Sequence, residues 1–178
     1  IAVLNRRIDT DITGELANGT VTIGATGTIP NLDLVMNGVV KLSNASVPWD
    51  SNITLLAQPS FLAYMMQTPE WSSADYVNLR PFAGDDANWR DRPQAYKFMS
   101  MLVLAHPNLS GKGTTAEKSY MYHKSAIGHA MDTAGLKTDI GFFSMQDYSW
   151  ARATAYMGPK ILQNTGIVVI THDGSKYA

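Results

Sequence analysis

The segment from Tyr96 to Ala105 ends in five consecutive apolar residues, Met101-Leu102-Val103-Leu104-Ala105. A strand with one wet face alternates apolar and polar side chains, so a strand with no polar face has to be buried on both sides. The rest of the sequence supplies elements to bury it. Leu32, Val35, Met36, Val39 and Val40 recur at i, i+3, i+4 and i+7 spacing, which predicts a helix. Pro30 or Asn31 starts it, Asp33 is well placed in its first turn, and Val47-Pro48 stops it. Leu4, Ile8, Ile12 and Leu16 predict an earlier amphipathic helix, with Arg7 and Asp11 one turn apart and Asn18-Gly19 as its stop.

The remaining elements are short. Thr20 to Ile23 and Ile53 to Ala57 read as strands. Pro59-Ser60 opens an apolar helix through Met66, and Thr68-Pro69-Glu70 starts another. Residues 80–93 form a polar, turn-rich loop around Trp89. Tyr120 to His123 reads as a strand, Ser125 to Met131 as a helix, and Ile140 to Met145 as a strand. From Tyr148 to Met157 large residues alternate with small ones, which is strand periodicity, and it places Trp150 in a core. Gly158-Pro159 breaks that strand, and Gly166 to Thr171 is a last apolar one. Helices and strands do not alternate regularly, so the expected class is α+β with a mostly antiparallel sheet.

Charge and composition narrow the function. The 178 residues carry a net charge of −1 with Lys and Arg scattered, which is no footprint for gripping nucleic-acid phosphates. There is no cysteine, which removes disulfides, thiolate metal sites and thiol nucleophiles. No apolar run approaches the ~20 residues of a membrane span. His123 and His129 are six apart, the wrong spacing for a helical zinc site, and neither His106 nor His172 has a partner motif. The pairs Asp9/Asp11 and Asp85/Asp86 read as solvated charges. Gly111-Lys112-Gly113-Thr114 lacks the leading glycine of a phosphate loop, because position 106 is His. No cofactor or metal is expected. Trp71, Tyr76, Trp89, Arg90 and Arg92 stand out instead as candidate subunit-interface residues, because Trp, Tyr and Arg are the usual anchors of protein contacts.

Several stretches, in this order, resemble the major capsid protein family of tailed phages with the HK97-type coat fold. Val3 to Asp9 is similar to that family's helix after the N-terminal region, and Leu32 to Pro48 to its spine helix and following turn. Ile53 to Pro59 resembles the next strand, Pro69 to Val77 an aromatic followed by a Ser/Ala-Asp-Tyr run, and Tyr122 to Gly128 an aromatic-His-Lys-x-Ala-x-Gly segment. Gly158 to Asp173 resembles a closing hairpin. The resemblance implies a non-enzymatic shell subunit that assembles with itself into pentamers and hexamers around double-stranded DNA in a virion built in the bacterial cytoplasm. Scaffold, portal or decoration proteins are further implied partners. It also implies a peripheral domain at residues 1–58, a mainly axial one at 59–145, and returning peripheral strands at 146–178. Family members run longer before the spine helix, and this chain opens on Ile1, so a fragment or processed form is expected. The alternatives are an encapsulin-like compartment shell, a ligand-binding domain lined by loop aromatics, and a hydrolase. The last requires a carboxylate and a hydroxyl within hydrogen-bond reach of His123 or His129.

Overall fold

A computed structural model describes residues 2–72, 77–78, 95–132, 135 and 137–177. Tyr76, Trp89, Arg90 and Arg92, with the whole of the turn-rich loop at 80–93, lie outside the described residues. The elements run α1 (Ala2–Leu16), β1 (Val21–Gly24), α2 (Leu32–Asn44), β2 (Ile53–Ala57), α3 (Pro59–Met65), α4 (Pro69–Ser72), β3 (Val77–Asn78), β4 (Ala95–Phe98) and β5 (Met101–Ala105). Then follow β6 (Glu117–His123), β7 (Ile127–Met131), β8 (Lys137–Phe143), β9 (Tyr148–Thr154), β10 (Met157–Ile161) and β11 (Ile167–His172).

Seven strands form one sheet in the order β1-β11-β6-β2-β5-β4-β3. The β1–β11 and β2–β5 pairs are parallel and the other four pairs are antiparallel. Strands from residues 1–58, 59–145 and 146–178 all enter this sheet. Its first face carries Ile53, Leu55, Met101, Val103, Met121, Val168 and Ile170, covered by Val35 and Leu42 of α2, Phe61 and Met65 of α3, and Trp71. Each such side chain contributes about 1.5–3 kcal/mol by leaving water. Asn31 caps α2 as expected, its side chain accepting from Leu34 N at 3.0 Å. Trp71 is 4% exposed and stacks on Phe98 at 4.9 Å between ring centroids, so it contributes to this core.

The second face is covered unevenly. Leu16 of α1 packs there with Leu56, Tyr120, Ile167 and Val169. Beyond α1's reach, Thr54, Leu102 and Tyr122 stand side by side in register and are only half-buried. The two-sided burial expected of residues 101–105 is therefore complete for Met101 and Val103 and partial for Leu102, Leu104 and Ala105.

Four readings change. Tyr96 to Ala105 is two strands joined at Met99-Ser100, both with positive φ (46° and 66°), a tight hairpin turn without the usual Gly or Asn. The expected helix at Ser125–Met131 is a 3₁₀ turn at Lys124–Ala126 followed by β7, which pairs with β10. Gly158-Pro159 does not break a strand; it lies inside β10, and Pro159 is tolerated because β10 has one partner only. No closing hairpin forms, since β10 pairs with β7 and β11 with β1 and β6.

Candidate assembly surface

Strands β8 and β9 form a ribbon of seven registered pairs that belongs to neither the main sheet nor the β7–β10 pair. Opposite residues in an antiparallel pair share a face. One face carries the Asp139–Arg152 ion pair at 2.9 Å, Trp150 over Gly141, and Phe143 stacked on Tyr148 at 5.7 Å. The glycine makes that arrangement possible, because a Cβ at 141 would collide with the indole. Trp150 is thus half-exposed on a ribbon and not in a core, contrary to the alternation-based expectation. The other face pairs Ile140 with Ala151 and Phe142 with Ser149. Ile140 is 79% exposed, Phe142 62%, and Met145 at the turn 93%. A two-stranded ribbon is at best marginally stable in water by itself, and exposed apolar patches of this kind mark contact surfaces.

The β7–β10 pair, from which the chain runs out to the ribbon, joins the body through two 3₁₀ turns, Lys124–Ala126 and Asn164–Gly166. They are stitched together where Leu162 N donates to Ala126 O at 2.9 Å. Glu15 of α1 accepts from Ile161 N at 3.2 Å and pairs with Lys160 at 3.3 Å, which anchors β10 to α1. His123 holds the first turn. Its Nδ1 lies 2.7 Å from Ser125 Oγ and accepts from Ser125 N at 3.3 Å, and its Nε2 lies 3.0 Å from Asp50 Oδ1.

His123 therefore has both the hydroxyl and the carboxylate that the hydrolase reading asks for. Its chemistry is that of a turn cap: the nitrogen facing the hydroxyl is already taken by the Ser125 N–H, two residues along. A second Ser–His–carboxylate group, Ser119, His172 and Glu117, is sealed in the interior, where His172 and Ser119 have no exposed surface. Burial pushes the His172 imidazole below its ordinary range, so it is neutral at pH 7. Among the described residues no group of three or more His, Cys, Asp or Glu could hold a metal, and no helix is long and apolar enough to cross a membrane.

Hydrogen bonds from Asn52 and then His123 hold the Asp50 carboxyl down to about 2. A carboxylate depressed in the folded state contributes stability above its unfolded pKa of 3.8 and loses it as pH falls toward 2. Wild type should thus melt above Asp50→Asn at pH 6, and the gap should close by pH 2. A gap independent of pH in calorimetry would show that Asp50 acts through something other than its charge.

The model of phage capsid proteins matches residues 5–174. The chain belongs to the phage capsid protein family. No curated protein sequence matches it. A structure from Mycobacterium phage Che8 superposes with a TM-score of 0.73 at 17% identity, covering 95% of this chain and 59% of that one. The virus-like particle of Pyrococcus furiosus gives 0.61 at 15% identity, covering 94% and 62%. The SrpI encapsulin of Synechococcus elongatus gives 0.61 at 11% identity, covering 99% and 64%. The capsid protein of this family thus has the mixed helix-and-sheet HK97-type coat fold, and it spans about three fifths of the length of these structures. Membership of the phage capsid family indicates a structural protein rather than a catalyst.

Proposed function

We propose that this capsid protein is the repeating subunit of a closed icosahedral bacteriophage head, assembling into pentamers and hexamers that enclose double-stranded DNA. The observation that carries the reading is the β8–β9 ribbon. It leaves Ile140, Phe142 and Met145 in water, and a shell subunit has a neighbour to cover them. A near-neutral chain with Lys and Arg scattered along its sequence suits passive enclosure of DNA. Tyr76, Trp89, Arg90 and Arg92 join the proposal as contact residues on their chemistry alone. Assembly in the host cytoplasm, with scaffold, portal or decoration proteins as partners, completes it.

The likeness to an encapsulin favours a second reading, a compartment that encloses protein cargo. Electron microscopy of the protein at its natural full length, with analysis of what the particles contain, separates the two. Closed shells tens of nanometres across that package DNA in infected cells support the phage head. Closed shells that hold protein and exclude DNA support the compartment. A monomer under all assembly conditions would reject both.

A further inference from the structure

The half-covered second face of the main sheet ends in an open pocket of about 300 Å³, lined by Asn52, Thr54, Leu102, Tyr122, Lys124 and Ile127. It lies at the root of the β7–β10 pair, which leads along the chain to the ribbon, because Lys124 begins the 3₁₀ turn and Ile127 begins β7. Its floor is apolar and its rim carries one cation, Lys124. The far end of the ribbon is its complement. Met145 is 93% exposed, and Asp147 closes the turn with φ 47°. Neither Lys124 nor Asp147 has an ion-pair partner among the described residues.

We propose that the Met145 tip of one subunit's β8–β9 ribbon inserts into the Thr54–Leu102–Tyr122–Ile127 pocket of a second copy of this chain, with Asp147 meeting Lys124. This deepens the shell-subunit reading and rests on it. The occupant comes from another copy. Met145 is 93% exposed and does not line the pocket of its own chain. Methionine suits the task, since its unbranched, polarizable side chain fills irregular apolar gaps. Tip-to-root contacts are heterologous, and a heterologous contact that closes makes rings, the form that pentamers and hexamers require.

The absence of cysteine from the chain makes disulfide trapping a clean test. Met145→Cys and Thr54→Cys are introduced together into the full-length protein, and assembled particles are oxidised. The expected result is a ladder of covalent oligomers on a denaturing gel, absent from either single variant. In parallel, Asp147→Lys and Lys124→Asp should each reduce particle yield by about tenfold or more, and the double exchange should restore it. Particles that form normally but give no ladder, with an exchange variant no better than its parents, would overturn the contact and leave the shell reading standing. Covalent dimers from Met145→Cys alone would also overturn it, because tips would then meet tips. Failure of wild type to form particles would remove both readings.

Discussion

Glu117→Ala should cost the fold about 3–5 kcal/mol, which is a large part of the 5–15 kcal/mol that holds a typical domain together. Glu117 is buried at the start of β6, opposite His172 at the end of β11. Its Oε2 accepts from Ser60 Oγ in the first turn of α3. Its Oε1 accepts from Gly113 N at 2.7 Å in the loop before β6. Its Oε2 also stands 3.7 Å from His172 Nδ1. One carboxyl therefore ties together a helix start, a loop and the final strand. Truncation leaves the buried Ser60 hydroxyl and the half-buried Gly113 N–H without this acceptor and opens a cavity, and both effects act in the same direction. Gly174→Ala should be destabilising for a related reason, because a Cβ there collides with the same carboxylate. Urea unfolding reads both variants. A loss below about 1 kcal/mol for Glu117→Ala would show that the hub is dispensable and that the apolar cores alone set stability.

Nothing in the sequence marked this hub. Glu117 and His172 are 55 positions apart, and each looks like a polar residue bounding an apolar strand. Only the register of β6 against β11 brings them together. Local rules worked where local physics decides. The spacing of Leu32 to Val40 and the Asn31 cap specified α2, because both signals lie within a turn of the helix they build. They failed where partners decide. Ile127 to Met131 has no helical periodicity of its own, and pairing with β10 makes it a strand. Met99-Ser100 turns tightly because β4 and β5 hold it in register, not because its residues favour positive φ. The alternation in residues 148–157 announced a strand with two distinct faces, and the strand that forms ends at Thr154. It could not say what covers them, and for Trp150 the answer is a glycine and an arginine at 5.9 Å, not a core. Trp71 shows what composition alone leaves open. Composition picked Trp71 as an anchor, and tertiary packing placed it against Phe98 inside its own chain.

The double variant Ile140→Thr/Phe142→Thr should leave the isolated subunit intact and abolish its assembly. Threonine keeps the β-preference of the ribbon and removes its apolar surface. Both side chains project into water, at 79% and 62% exposure, and their cross-strand partners are Ala151 and Ser149. Subunit stability should therefore move by no more than about 0.5 kcal/mol, as for other surface substitutions. The effect on the shell is different in kind. Apolar anchors at the centre of an interface are worth about 2 kcal/mol each, so losing two weakens each contact roughly a thousandfold. Every subunit in a closed shell repeats that loss. The measurements are thermal melting of the subunit and particle counts by electron microscopy on the same preparation. Unchanged melting with no particles would place this ribbon face inside the shell contact. Normal particles would show that the face stays wet in the assembled head, and the ribbon would then owe its persistence to the Asp139–Arg152 pair and the Phe143–Tyr148 stack on its opposite side.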